Sequence, residues 1–133
     1  MFTTSYFRRV SLLGLVAITL LLAGCMTGNS YPAERARTYC ASLFACVDAD
    51  QIELMTTYDD ADECVQEETE TYEGSSGYRS FLEGGCAFDS DSAQRCLEEA
   101  SSVISDADCD GNMGFLSFLL DIADDDCDDV YCD

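Results

Sequence analysis

The chain has 133 residues, which fits one small domain, and carries 27 acidic against 6 basic residues, for a net charge of −21. This acidity argues against nucleic-acid partners, because binding to phosphate depends on cationic contacts. The chain has no histidine, which excludes Ser-His and Cys-His nucleophile pairs. It also has no phosphate-cradling glycine loop. The sequence therefore predicts a protein that is not an enzyme.

The first 24 residues have the features of an export signal. Residues 1–9 contain no acid and end in Arg8-Arg9, and an apolar run follows over residues 10–23. The run is shorter than the roughly 20 residues that a membrane-spanning helix needs, and it ends in small residues. The arginine pair partly matches a twin-arginine signal. The general secretory route is favoured, because a disulfide-rich domain normally folds after export.

The apolar run ends in Leu22-Ala23-Gly24-Cys25. This motif resembles the lipobox of bacterial lipoproteins, and the resemblance covers residues 1–25. It implies cleavage before Cys25, a diacylglyceryl group on the Cys25 thiol and often a second acylation at the new N-terminus. Two such signals make membrane anchoring stable. In enteric-type lipoproteins an aspartate after the cysteine favours the inner membrane, so Met26 favours the outer membrane.

The chain that follows the leader is more acidic still. Residues 25–133 keep four arginines against all 27 acids, a net charge of −23. This charge disfavours contact with anionic lipid, so the anchor must hold the protein on the membrane. The predicted organisation is a cleaved signal over residues 1–24, the lipidated cysteine with a short polar tether over residues 25–32, and a folded domain over residues 33–133.

Eight cysteines remain when the lipidated one is set aside. An even number in a small exported domain predicts a framework of up to four disulfides, with the pairing open. The absence of histidine and of any Cys-x-x-Cys pair argues against zinc and iron–sulfur sites. If Cys40 and Cys46 share a helix, they lie about 9 Å apart along its axis, too far for a bridge, so each should reach a different segment. The eight are Cys40, Cys46, Cys64, Cys86, Cys96, Cys109, Cys127 and Cys132.

The apolar pattern predicts an all-α fold, a small bundle of four or five short helices stapled by disulfides. Pro32 suits the first turn of a helix. Capping boxes at Asp50/Glu53 and Asp60/Glu63 predict helices over residues 51–57 and 61–71. Inward stripes are predicted on the first helix at Ala36, Cys40, Leu43, Phe44 and Val47, and on a later one at Ala93, Cys96, Leu97, Ala100 and Ile104.

The second half of the chain alternates loops with short helices. Residues 73–77 predict a loop, and residues 78–82 one helical turn that ends at Gly84-Gly85. Residues 89–92 offer helix caps. A last helix is predicted over residues 115–123, followed by an acidic tail held by two cysteines. Aromatic core candidates are Tyr39, Phe44, Tyr58, Phe81, Phe88, Phe115 and Phe118; a ligand-stacking role for them is the alternative.

The most specific motif outside the leader is Asp106-Ala107-Asp108-Cys109-Asp110-Gly111-Asn112. It resembles the first seven positions of an EF-hand calcium loop. That resemblance implies side-chain ligands from Asp106, Asp108 and Asp110 and a backbone carbonyl ligand from Asn112, with Met113 at the apolar eighth position. The motif departs from the family at its twelfth position, where Ser117 replaces the bidentate glutamate. The alternative is an acidic turn, closed by glycine and stapled through Cys109.

Three functional hypotheses follow from these observations. The leading one is a membrane-anchored, non-catalytic envelope lipoprotein that binds another protein or a glycan. The second is a weak calcium-binding module that uses residues 106–112. The third is an inhibitor of an exported hydrolase, which would present the loop over residues 73–77 on a rigid scaffold.

Overall fold

A computed structural model describes residues 26–105, 109–122 and 125–132. In these ranges the chain is helical and forms no strand, which confirms the predicted all-α class with four disulfides. The helices are α1 (Tyr31–Cys46), α2 (Ala49–Met55), α3 (Ala61–Glu73), α4 (Ser76–Leu82), α5 (Ser90–Ser102) and α6 (Phe115–Ile122), with 3₁₀-helices at Val103–Ser105 and Asp125–Val130.

Helix α1 is the central element, and both α3 and α5 pack against it. Its buried face carries Ala36, Cys40 and Leu43, three members of the predicted stripe. Pro32 lies in the first turn, where its missing N–H costs no hydrogen bond. The helix is therefore an amphipathic element whose inner face sets the positions of the other helices.

The core divides into two clusters along α1. The proximal core surrounds the first turn of α1 and consists of Tyr31, Ala93, Cys96, Cys127 and Val130. The distal core surrounds its last turns and consists of Cys40, Leu43, Cys46, Val47, Ile52, Cys64, Val103, Met113, Phe115 and Phe118. At a rise of about 1.5 Å per residue, the two ends of α1 are about 22 Å apart.

Aspartate caps begin three of the helices, and one predicted cap is wrong. The carboxylate of Asp60 accepts from Glu63 N–H, as the box at that position predicts. Helix α2, however, begins after Asp48, which accepts from the N–H groups of Asp50 and Gln51. Asp50 therefore lies inside the first turn of α2 and does not cap it. The backbone of Asp48 is extended (φ −58°, ψ 130°), as a cap residue requires.

The predicted stripe of the later helix fails at its end. Ala93, Cys96 and Ala100 are buried, but Ile104 is 44% exposed and Val103 is buried in its place. Val103 lies seven residues after Cys96, a spacing that returns to the same face of a helix. Helix α5 ends at Ser102, and Val103 begins the 3₁₀ turn that follows.

Residues 73–77, which are predicted to form a loop, consist mostly of the end of α3 and the start of α4. Gly74 ends α3 and the hydroxyl of Ser75 caps α4 by accepting from Tyr78 N–H. Helix α4 therefore begins at Ser76, two residues earlier than predicted, and little free loop remains between the helices. The segment stays exposed over residues 73–76, but as helix ends and a short turn.

Five tyrosines have a raised pKa, and burial is the main cause at each. Burial and the nearby Glu68 carboxylate raise the pKa of Tyr39 to about 12. At Tyr58 the hydroxyl also donates to Glu68, which favours the protonated form. The same direction holds at Tyr31, Tyr72 and Tyr131.

We expect the folded domain to lose stability in alkali. These five tyrosines ionise near pH 10, the ordinary value, in the unfolded chain, whereas in the folded chain they stay protonated to higher pH. Because each of these pKa values is raised on folding, their contribution to stability is fully present below pH 10 and is lost as the pH rises further. Absorbance at 295 nm after rapid pH jumps should show the ionisation of these tyrosines together with unfolding, and Tyr39→Phe should reduce the steepness of that transition. An ionisation near pH 10 in the still-folded protein that Tyr39→Phe diminishes would contradict this expectation.

Candidate functional site

Four disulfides join all eight cysteines that follow Cys25. Cys40 and Cys46 bond different segments, as their helical spacing predicts. In residues 26–132 no cysteine keeps a free thiol for nucleophilic chemistry. Cys25, which lies outside the described residues, is the one cysteine that these bridges leave over. The pairs are Cys40–Cys64, Cys46–Cys109, Cys86–Cys132 and Cys96–Cys127.

The segment next to Cys25 is packed into the proximal end of the domain. Met26 packs against the proximal core, and the Tyr131 hydroxyl donates to the Gly28 carbonyl at 2.6 Å. Gly28 is buried beneath the Phe81 ring, which a Cβ at this position would overlap. The predicted tether over residues 25–32 is thus partly integral to the fold, because aromatic side chains from distant segments cover it.

Aromatic side chains fill the space around residues 26–31. The ring of Tyr131 lies 5.4 Å from that of Phe81, 5.6 Å from that of Phe88 and 5.8 Å from that of Tyr31, measured between centroids. Of these, only Phe81 and Phe88 are predicted core residues. Tyr31 and Tyr131 escape prediction because they fall in the polar tether and the acidic tail. This packing holds Gly28 and Tyr31 against the C-terminal part of the described chain.

Two of the four predicted calcium ligands are described. Asp106 and Asp108 lie outside the described residues. The carboxylate of Asp110 accepts from Asn112 N–H at 3.0 Å, and the Asn112 side-chain amide donates to the Asp110 carbonyl at 3.3 Å. Gly111 has φ +79°, the left-handed conformation that favours glycine in a sharp turn. The described half of the loop is therefore a tight, exposed acidic turn.

This turn is fastened to the corner between α1 and α2. Besides the Cys46–Cys109 bridge, Met113 N–H donates to the Cys46 carbonyl at 2.9 Å and Asp48 N–H donates to the Met113 carbonyl at 3.0 Å. Met113 is buried, in keeping with an apolar eighth position. Ser117, the residue at the twelfth position, is exposed in the first turn of α6. The disulfide and these two backbone hydrogen bonds therefore hold the turn in place.

Gln51 connects α2 to α6 in a way that sequence analysis missed. Its side-chain Oε1 accepts from the backbone N–H of Phe115 at 2.8 Å, which satisfies an otherwise unpaired donor at the start of α6. The two residues are 64 positions apart, so no local capping pattern marks the interaction. Together with the Cys46–Cys109 bridge, this bond fixes α6 against the distal end of α1.

Acidic side chains do not converge on a metal centre in the described ranges, where no three potential ligands lie close enough together to hold an ion. A shallow cleft of about 510 Å³ beside the Cys86–Cys132 bridge is lined in part by Asp89, Asp91 and Asp129. Asp89 accepts from the N–H groups of Ser92 and Asp91, which lower the pKa of its carboxyl group. A carboxyl group with a lowered pKa is a poor general acid.

The distal end carries an exposed apolar surface, which we call the distal face: Leu54, Met55, Ile104, Leu116 and Leu120. Leu54, Leu116 and Leu120 are 81%, 67% and 78% exposed. They belong to neighbouring elements, because α6 packs against both α2 and the 3₁₀ turn that contains Ile104. Leu116 and Leu120 are four residues apart in α6 and so share one side of that helix. The sequence does not reveal this surface, because a helix of eight largely apolar residues, such as α6, is expected to be buried on all its sides.

No helix in residues 26–105, 109–122 and 125–132 combines the length and the apolar character needed to cross a membrane. Comparisons of the chain with protein-family models, with curated proteins and with solved structures find no match.

Proposed function

We propose that this protein is a membrane-anchored, non-catalytic lipoprotein of the cell envelope whose domain binds an envelope protein. The observation that carries the proposal is the motif Leu22-Ala23-Gly24-Cys25 at the end of a signal-like leader. The disulfide pattern supports it, because the four bridges use all eight remaining cysteines and leave only Cys25 available for lipid. The outer membrane is the favoured location, on the basis of Met26.

The arrangement of the domain supports a binding role. Met26, next to the proposed lipid site, packs against the proximal core, whereas the distal face is formed by α2, α6 and the 3₁₀ turn around the distal core. The two features belong to different parts of the domain, so a partner can bind the distal face without contacting the proximal core. A mainly structural role in the envelope would not require exposed leucines, which cost solvation free energy in the isolated domain.

The lipid anchor predicts a clear effect of replacing Cys25. In cells grown with labelled palmitate, we expect the wild-type chain to incorporate label and Cys25→Ala to incorporate none, because the thiol that forms the thioether is gone. The variant should also keep its leader and migrate as a larger species. Gly24→Ala, which preserves a small residue in the motif, should be labelled like the wild type.

The label decides this test, since an uncleaved leader also holds the chain on membranes and makes fractionation ambiguous. A wild-type protein that takes up no label would contradict the proposal. Equal labelling of Cys25→Ala would contradict the assignment of this cysteine as the lipid site.

A further inference from the structure

We propose that the distal face binds a cationic amphipathic helix of a protein partner. The inference depends on the proposed function for its setting and goes beyond it by naming the surface and the chemistry of the partner. The two sides of α6 differ in burial although both are apolar. Phe115 and Phe118 are buried in the distal core, whereas Leu116 and Leu120 extend to solvent.

The distal face is a rigid surface. Helix α6 is held by the burial of Phe118, by the Gln51 side chain at its first turn and by the Cys46–Cys109 bridge just before it. The backbone that carries Leu116 and Leu120 is therefore already ordered, so a partner does not have to order this helix on binding. A pair of leucines four residues apart is the spacing at which helices pack their apolar stripes together.

The charge around the distal face selects the partner. Asp50 and Glu53 on α2 and Asp110 before α6 are exposed, and neither α2 nor α6 contains a basic residue. The four arginines of the domain are Arg35, Arg37, Arg79 and Arg95, all in α1, α4 and α5. An apolar surface with an acidic rim complements a helix that carries leucines on one side and lysines or arginines on the other.

The same charge argues against the other occupants. A second copy of the chain would bring two acidic rims together, and a domain of net charge −23 repels its own kind. An anionic lipid surface is repelled for the same reason. A cationic segment of another protein gains from both the apolar contact and the opposite charge.

The test uses oxidised residues 26–133, which contain both cores and both ends of all four bridges. The probe is a synthetic 14-residue peptide of leucine and lysine arranged at the helical period, labelled with a fluorophore and titrated at about 150 mM salt to screen diffuse attraction. We expect saturable one-site binding that a scrambled peptide of the same composition does not reproduce. The double variant Leu116→Ser/Leu120→Ser should bind at least about tenfold more weakly, the loss expected for buried apolar anchors.

Leu82→Ser provides the matched control. Leu82 is 56% exposed in α4, next to Phe81, whose ring covers Gly28. Because Leu82 does not belong to the distal face, its replacement should leave the affinity for the peptide unchanged. Equal binding of the scrambled peptide, unchanged affinity of the double variant, or no binding at all would overturn the proposal. Dimerisation of the wild type that the double variant abolishes would overturn it in favour of a second copy. None of these results depends on lipid, so they separate this inference from the lipoprotein proposal.

Discussion

Replacing both Cys46 and Cys109 with alanine is expected to lower the free energy of unfolding of the oxidised domain by about 4 kcal/mol. The bridge closes a separation of 63 residues, and Cys46 is fully buried in the distal core. Its removal frees the unfolded chain and also loosens the segment that carries Met113 and leads into α6. Denaturant unfolding followed by far-ultraviolet circular dichroism measures the change.

Cys86→Ala/Cys132→Ala is the matched control for this prediction. The Cys86–Cys132 bridge closes a separation of 46 residues, similar on the logarithmic scale of loop entropy, but Cys132 is exposed and Cys86 only half-buried. We expect this variant to lose only about 2 kcal/mol. Equal losses in the two variants would show that chain entropy alone decides the effect and that burial of the Cys46–Cys109 bridge adds nothing to it.

Phe118→Ala is expected to lower the free energy of unfolding by about 3–5 kcal/mol, through lost apolar burial and the cavity that remains. Phe118 is fully buried, and its ring centroid lies 5.6 Å from that of Tyr39 on α1. The side chain therefore forms an apolar contact between α6 and the central helix. Chemical denaturation of both proteins, with the slope held common, gives the difference.

Leu120→Ala, two residues along the same helix, should change stability by no more than about 0.5 kcal/mol, because this side chain is largely exposed. The contrast tests the orientation of α6 directly. Similar losses at both positions would mean that Leu120 is also buried in solution, and the distal face would not exist as described.

Local signals in the sequence were sufficient to predict most helices. Asp60 and Asp89 cap the helices that follow them, as their spacing predicts. The stripe of Ala36, Cys40 and Leu43 predicts the buried face of α1, and the last helix begins at Phe115 as expected. These features depend on residues within one or two helical turns of each other, so a local sequence pattern contains all the residues involved.

A long-range contact determines where α2 begins, which the local sequence pattern does not show. Asp48 and Asp50 are both followed three residues later by a Gln or Glu, so either matches a capping box. The hydrogen bond from Asp48 N–H to the Met113 carbonyl holds Asp48 in an extended conformation, and the helix begins after it. The partner residue lies 65 positions away, where no local pattern indicates it.

The candidate binding surface escaped prediction for a related reason. An apolar segment such as α6 predicts burial, because composition does not reveal how much core is available to cover it. The distal core covers the side that carries Phe115 and Phe118, and the opposite side remains open in the described chain. Only the packed arrangement shows which leucines are left over.

The most direct test of the lipoprotein proposal is mass spectrometry of the N-terminal peptide of the mature protein, isolated from membranes. We predict a peptide that begins at Cys25 and carries the added mass of a diacylglyceryl group, with a further acyl group where the new amine is modified. A mature chain that begins at another residue, or an unmodified Cys25, would contradict the proposal that this protein is held on its membrane by lipid.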